Sequence, residues 1–189
     1  MKKILLINGH PKEDSFCYAL AAAYKKGASN ADAEIRQVDI AKLEFDAFAL
    51  KSFDTFTIPN DLKKAQKDIS WADHLVIVHP IWWATMPAIL KAFIEQTFLM
   101  GFAAKYEENG KITKLLTGKS VRIISTLDTP VWILKTFLKQ PSFKTHKANF
   151  SFCGIKPIKQ TYFAPVVKSD DAKREKWLSQ AEHLGRQLK

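Results

Sequence analysis

Five segments with the length and pattern of strands alternate with segments of helical periodicity along the chain. Residues 3–8, 74–79 and 120–126 are mainly apolar, residues 34–40 alternate as in a half-buried strand, and residues 155–164 are predicted to be the last strand. Between them, apolar residues recur with helical spacing over 15–26, 60–71, 87–99 and 142–151, and again from 172 to the end. Strands that alternate with helices form parallel sheets through right-handed crossovers. The pattern therefore predicts one α/β domain over residues 1–189, a doubly wound five-stranded parallel sheet in the order 2-1-3-4-5 with helices on both faces.

The connecting segments carry capping and turn residues. Asp14 or Ser15 can cap the first helix, and Pro87 opens the third. Residues 41–60 are rich in phenylalanine without clear periodicity, which indicates an ordered excursion. Residues 102–119 are predicted to be a polar connection that contains turns.

Three loops are predicted to meet at one edge of this sheet. In doubly wound sheets, ligands bind outside the carboxyl ends of the strands, at the point where the strand order reverses. That point lies between strands 1 and 3 here. Loops 9–17, 80–86 and 126–130 follow strands 1, 3 and 4, and they hold the most unusual residues of the chain.

The first loop can hold an anion. It has neither the spacing of a P-loop nor the glycine pattern of a dinucleotide-binding turn. The unpaired N–H groups at a helix start attract anions, so Ser15 and the amides of Phe16 and Cys17 can bind a phosphate with His10 beside it. Two alternatives stay open. Ser15 can simply cap its helix, and Cys17 can be a packed side chain rather than a thiol of lowered pKa.

Two adjacent tryptophans follow the third strand, in the segment Pro80, Ile81, Trp82, Trp83 and Ala84. Neighbouring residues of a strand point to opposite faces, so both rings cannot be buried together. A loop tryptophan needs a partner for its ring and its N–H. The segment therefore indicates a site for a flat aromatic ligand, with core packing as the alternative.

The third loop contains Thr126, Leu127 and Asp128. Asp128 is the only acid between Lys111 and Lys168, a stretch that holds eleven Lys or Arg residues. Its carboxylate can accept a hydrogen bond from a ligand, or it can cap the helix that opens at Pro130.

Composition and charge narrow the classes of function. The net charge is +10, and the basic stretch would attract an anionic ligand or partner, unless it is only a solvated surface. No nucleic-acid-binding motif is present, so we expect no nucleic-acid partner. The apolar runs are too short to span a membrane and two cysteines make no disulfide framework, which favours a cytoplasmic protein. His74, His79 and His183 lack the spacing of metal ligands, so we expect no metal.

The first two loops together resemble a known family. The motif from Gly9 to Phe16 and the segment from Pro80 to Lys91 are similar to the NAD(P)H:quinone reductase family, which has a flavodoxin-like fold. The resemblance includes the small cytoplasmic reductases that accompany glutathione-gated potassium efflux systems. It covers nearly the whole chain, and departs at Leu127 and Asp128, where the better-known members carry paired glycines.

The resemblance implies a bound flavin, which is FMN, with FAD possible. Its phosphate would lie in the first loop, the segment from Pro80 to Ala84 would lie along the isoalloxazine, and Phe102 and Tyr106 would form an aromatic roof that binds substrate. Relatives use a tyrosine and a histidine beyond the third loop to stabilise the charge of the reduced flavin. Trp132 and His146 occupy that region, but no motif assigns the role to either of them. The cofactor-binding residues on this view are His10, Ser15, Phe16, Cys17, Pro80, Ile81, Trp82, Trp83, Ala84, Thr126, Leu127 and Asp128.

The activity that the resemblance implies is two-electron reduction of quinones or similar acceptors. NADPH or NADH would reduce the flavin and leave before the acceptor enters the same pocket, in a ping-pong cycle. Relatives are homodimers with the flavin site at the subunit interface, so a homodimer is expected. Two alternatives stay open: a regulatory flavoprotein subunit that docks on a membrane transporter, and an electron carrier of the flavodoxin type.

Overall fold

A single parallel sheet organises the molecule, for which the computed structural model describes residues 1–188. When its five strands are counted in the order in which they occur along the chain, they lie in the order 2-1-3-4-5 across the sheet, which confirms the predicted topology. All four pairings between neighbours are parallel. In the numbering of the whole chain the five strands are β1 (Lys2–Asn8), β2 (Ala33–Asp39), β3 (His74–Pro80), β6 (Ser120–Thr126) and β7 (Ile158–Phe163).

Helices cover both faces of the sheet. They are α1 (Phe16–Ser29), α2 (Asn60–Trp71), α3 (Ala88–Thr97), α4 (Val131–Thr136), α5 (Pro141–Cys153) and α6 (Asp171–Arg186). Side chains of α2, α3 and α5 pack in one core cluster, and side chains of α1 and α6 pack in a second cluster on the other face. β3 supplies Leu75 and Ile77 to the first cluster and Val76 and Val78 to the second. This burial from both sides explains why the central strands read as continuous apolar runs.

Helices α1 and α6 approach so closely that two glycines are required. A Cβ atom at Gly27 would collide with the carbonyl oxygen of Glu182, and one at Gly185 would collide with the carbonyl oxygen of Tyr24. The two helices therefore pack backbone against backbone. This contact fixes α6 over the edge of the sheet that β7 forms.

The segment 102–119 contains regular structure that the sequence did not indicate. Two strands, β4 (Ala104–Tyr106) and β5 (Ile112–Lys114), pair antiparallel. The turn between them closes with hydrogen bonds from Gly110 N to Glu107 O (2.9 Å) and from Glu107 N to the carbonyl oxygen of Lys111 (2.8 Å). The description as a simple polar connection was incomplete, because three-residue strands are too short to show a period of two.

The phenylalanine-rich excursion begins with a short 3-10 turn at Ile40–Lys42 and then runs without regular structure to α2. Phe45 packs against the core, whereas Phe48 and Phe53 are largely exposed. Within residues 1–188, no helix combines the length and the apolar character needed to cross a membrane.

Candidate functional site

The three predicted loops meet at the carboxyl ends of β1, β3 and β6 and form a crevice there. Its first part is a cavity of about 190 Å³ that is lined by residues of all three loops: His10, Phe16, Cys17, Pro80, Ile81, Trp82, Thr126, Leu127 and Asp128, with Val166 from the segment after β7. A second hollow of about 290 Å³ shares Ile81, Leu127 and Asp128 and adds Trp83 and Ala84, with further residues from 129–138. The two spaces form one elongated site, which we call the crevice.

The start of α1 leaves several hydrogen-bonding groups free at this crevice. Ser15 occupies the N-cap position but its side chain makes no cap bond, and its buried Oγ has no partner among the described residues. The Ser15 carbonyl accepts from Tyr18 N (3.0 Å) and Ala19 N (3.3 Å). The preceding amides, of Phe16 and Cys17, take part in no hydrogen bond that residues 1–188 form. An orphaned hydroxyl and two amides at the positive end of a helix dipole form a site for an anion.

His10 is held beside this anion site. Its Nδ1 accepts a hydrogen bond from Lys12 N (2.9 Å), which leaves the ring proton of the neutral form on Nε2. Partial burial lowers the pKa of His10, so the ring is neutral at pH 7. The ring meets Trp82 edge to face, with centroids 5.4 Å apart. His10 is therefore positioned as a hydrogen-bond donor rather than as a cation.

Cys17 is a packed thiol. It is 1% exposed, and its Sγ lies 3.3 Å from Thr126 Oγ1. Burial raises the pKa of Cys17 to about 12, so the thiol stays protonated at neutral pH. Of the two interpretations left open by the sequence, the geometry supports packing.

The loop after β3 forms a strained turn that presents a tryptophan. The backbones of Trp82 and Thr85 exchange two hydrogen bonds of 2.9 and 3.0 Å. The two residues between them, Trp83 (φ 47°) and Ala84 (φ 65°), are both left-handed, as in a type I′ turn. Side chains other than glycine disfavour this conformation by about 1–2 kcal/mol per residue. The turn leaves Trp83 fully exposed at the rim of the crevice, while Trp82 is about half exposed.

The loop after β6 is tied to the segment that follows β7. Leu127 N donates to Phe163 O (3.2 Å), and the Leu127 carbonyl accepts from Val166 N (3.1 Å). The Asp128 carboxylate accepts from Val167 N (2.7 Å) and makes no cap bond to α4. Of the two roles that the sequence left open for Asp128, this structure does not show the cap. The Asp128 carboxylate binds the backbone amide of Val167, 39 residues away, instead of an amide at the start of α4.

A pair of buried histidines lies behind the crevice, and the sequence did not reveal it. His79 Nδ1 donates to Pro80 O (2.8 Å), because a carbonyl can only accept. His79 Nε2 therefore accepts from His146 Nε2, at 2.9 Å. Burial lowers the pKa of His79 to about 4, and burial together with His79 lowers the pKa of His146 well below its usual range. Both rings are neutral at pH 7, and they fix the base of the loop that begins at Pro80.

The predicted substrate-binding pair lies elsewhere in the chain. Phe102 packs against the core beside Phe98, with ring centroids 6.4 Å apart, and Tyr106 is 67% exposed on the β4–β5 hairpin. Neither residue lines the crevice of the same chain. The structure thus brings together the predicted residues of the three loops, with Ser15 buried just outside the lining, but not these two aromatics.

Comparisons with known proteins show which proteins the chain is similar to. The chain is 31% identical over 173 residues to an FMN-dependent NADH:quinone oxidoreductase of Clostridium beijerinckii, which covers 84% of this chain and 83% of that protein. It is 28% identical over 178 residues to an uncharacterized NAD(P)H oxidoreductase of Haemophilus influenzae, which covers 90% of this chain and 88% of the relative. The crystal structure of Smu.1420 from Streptococcus mutans UA159 superimposes with a TM-score of 0.87 at 29% identity, and covers 98% of this chain and 99% of that one.

The match to a family profile spans almost the whole chain. Residues 2–185 match the family that is described by its flavodoxin-like fold, and the strand order found here is that of this fold. The chain therefore belongs to the flavodoxin-like-fold family, among whose members the FMN-dependent NADH:quinone oxidoreductases are similar to it.

Proposed function

We propose that this protein is a flavin-dependent NAD(P)H oxidoreductase that binds FMN in the crevice and reduces quinones or similar acceptors by two electrons. The observation that carries the proposal is the group of free donors at the start of α1. The buried Ser15 hydroxyl and the amides of Phe16 and Cys17 lack partners in residues 1–188. Phe16 and Cys17 line the same cavity as His10, and Ser15 directly precedes them. This donor set fits a phosphate. The names of the relatives supply the reaction class.

The chain contributes binding and orientation. When bound, FMN supplies the chemistry, since it accepts a hydride from a reduced nicotinamide and passes two electrons on. The start of α1 would hold its phosphate, and the shared wall of Ile81, Leu127 and Asp128 would hold the length of the molecule. The turn at Trp83 and Ala84 would lie along the aromatic ring of FMN, and this contact would offset the backbone strain of the turn. FAD would need further room for its adenosine.

The aromatic roof is proposed to come from a second copy of the chain. Tyr106 projects from an exposed hairpin and lies outside the crevice of its own chain. A homodimer that placed the hairpin of one copy over the crevice of the other would supply Tyr106, with Phe102 supporting it from the core. We also propose that residues 1–189 act as one domain in the cytoplasm, where the two unpaired cysteines would stay reduced.

The direct test is anaerobic reduction of the purified, FMN-loaded protein. We expect NADPH or NADH to bleach the flavin absorbance, and a soluble quinone to restore it in a single two-electron turnover. Ser15→Ala should weaken FMN binding, with Ser29→Ala at the other end of α1 as the matched control. Failure to bind FMN or FAD would refute the proposal. Bound flavin that is not bleached would instead favour a regulatory subunit, for which co-purification with a membrane transporter is the test, and reoxidation in separate one-electron steps would favour a carrier.

A further inference from the structure

An arginine without a counter-charge lies inside the sheet, away from the crevice. Arg122 stands in the middle of β6, is 7% exposed, and points to the same face as Ile124, toward α1 and α6. It takes part in none of the ion pairs that residues 1–188 form. A charge removed from water without a partner is strongly unfavourable, so its retention requires an explanation.

The protein groups around Arg122 do not neutralise it. Nη1 donates to Thr161 Oγ1 (2.7 Å), and the buried Nε has no partner among the described residues. Arg122 interacts electrostatically with Tyr24, whose buried hydroxyl also lacks a partner among the described residues. Burial raises the pKa of Tyr24, so this phenol is neutral and supplies no negative charge. Burial also lowers the pKa of Arg122, although the guanidinium remains charged at pH 7.

A cavity of about 430 Å³ opens beside Thr161, the hydrogen-bond partner of this arginine. Thr161, which accepts the Arg122 hydrogen bond, lines the cavity from β7. The remaining lining comes from one side of α6: Lys176, Ser179, Gln180, His183 and Leu184. The lining contains two basic side chains and no carboxylate. The cavity shares no residue with the crevice, which lies at the ends of the strands.

The position of β7 keeps this cavity accessible. β7 is the last strand of the sheet, so no further strand covers its outer side. The close backbone contact at Gly27 and Gly185 fixes the position of helix α6 relative to α1. The acid on α6 that is nearest to this contact, Glu182, is already bound to Lys26 and Arg186. None of the three acids of α6, Asp171, Glu175 and Glu182, lines the cavity or pairs with Arg122.

We propose that this cavity is a binding site for a small organic anion, a carboxylate on an apolar body, and that Arg122 acts on it through Thr161. The Thr161 hydroxyl accepts from Arg122, so its own proton is free to be donated to a carboxylate. Lys176 supplies a second positive charge at the wall. Leu184 and the methylene stem of Lys176 provide the apolar surface for the body of the ligand. The volume lies in the range of small-molecule sites.

Octanoate is the first probe, and calorimetric titration of the FMN-loaded full-length protein is the measurement. We expect saturable binding of octanoate, weaker binding of acetate because it lacks the apolar body, and a rise in Tm with octanoate. Arg122→Met should weaken octanoate binding at least roughly tenfold, since it removes the charge behind the Thr161 hydroxyl. It should also raise the Tm of the octanoate-free protein, because an uncompensated buried charge is removed.

Arg36→Met is the matched control. Arg36 pairs with Asp68 (2.8 Å) and lies over the ring of Trp71. Its substitution should lower Tm and leave octanoate binding unchanged. If Arg122→Met does not fold, Thr161→Val keeps the shape of the cavity, and we expect the same loss of octanoate binding from it.

Three results would overturn the proposal. The first is no binding of octanoate by the unsubstituted protein at concentrations up to about 10 mM. The second is unchanged octanoate affinity in Arg122→Met or in Thr161→Val. The third is binding of inorganic phosphate in preference to octanoate, which would show that the site does not accept an apolar body. None of these measurements depends on turnover, so they are independent of the proposed oxidoreductase activity.

Discussion

The strained turn at the rim of the crevice leads us to predict that a substitution to glycine stabilises the protein. Ala84 has φ 65°, in the left-handed region where glycine is favoured, and it follows Trp83 in the same conformation. Replacing Ala84 with glycine removes the Cβ atom that opposes this conformation. The substitution should therefore stabilise the protein, whereas glycine normally destabilises a folded chain.

The expected magnitude follows from two opposing effects. Relief of the left-handed conformation contributes about 1–2 kcal/mol. The greater freedom of glycine in the unfolded chain offsets about 0.4–1 kcal/mol of this gain. The free energy of unfolding should rise by roughly 0.5–1 kcal/mol, which corresponds to an increase in Tm of about 1–4 °C for a chain of this size.

Ala22→Gly is the control, because Ala22 is exposed in the middle of α1 and its backbone is helical. There the same chemical change should lower the free energy of unfolding by about 1 kcal/mol. The assay is urea denaturation of the flavin-free protein, followed by far-ultraviolet circular dichroism so that the exposed Trp83 does not affect the signal. If Ala84→Gly destabilises as much as Ala22→Gly, the turn stores no strain and the argument from strain to function fails.

Three further predictions concern side chains of the crevice and of the core. Ser15→Ala should weaken FMN binding roughly tenfold but leave the urea midpoint of the flavin-free protein nearly unchanged, because Ser15 Oγ makes no cap bond; a fall in that midpoint typical of a lost cap would contradict this. His79 has a folded pKa of about 4, below the ordinary 6.5, so the unfolded chain binds the proton first as the pH falls. His79 should therefore contribute a drop of roughly 3 kcal/mol in the unfolding free energy between about pH 6.5 and pH 4, in addition to the drop from His146, whose pKa is also lowered. His79→Gln should make the profile shallower, and an unchanged slope would exclude His79 as a source. Neither Cys17 nor Cys153 should react with a thiol reagent at pH 8 in the native protein, because burial raises the pKa of Cys17 to about 12 and of Cys153 to about 11, while both should react in guanidinium; rapid native modification of either would count against this packing.

The sheet and its crevice could be predicted from the sequence because their signals are local. Strands such as β3 are buried on both faces and therefore appear as unbroken apolar runs. The handedness of the crossovers then limits the strand order, and the order places the crevice between β1 and β3. Loops that follow these strands must lie at the crevice whatever their detailed geometry. That is why the residues from Pro80 to Ala84 could be placed without knowledge of their turn.

The interactions that the sequence could not reveal connect distant residues. His79 and His146 are 67 positions apart, and neither segment contains a sequence pattern that predicts their contact. Capping of the neighbouring helix was one of two roles open to Asp128, but its carboxylate accepts from Val167 N instead. The β4–β5 hairpin depends on pairing between two three-residue strands that have no period of their own. In each case the partner is chosen by tertiary packing, which local propensity does not encode.

Hydrogen-bond satisfaction divides the predicted site residues into two groups. Cys17 contacts Thr126, and Asp128 accepts from Val167 N, so these side chains already have partners within the protein. Ser15 Oγ has none among residues 1–188, and Trp83 is fully exposed in a strained turn. Unpaired buried groups and left-handed side chains both raise the energy of the ligand-free state. Trp83 lines the crevice and Ser15 directly precedes the crevice residues Phe16 and Cys17, so a single ligand could compensate for both. Under the proposed function, Ser15 and Trp83 would contact the ligand, whereas Cys17 and Asp128 would support the crevice wall.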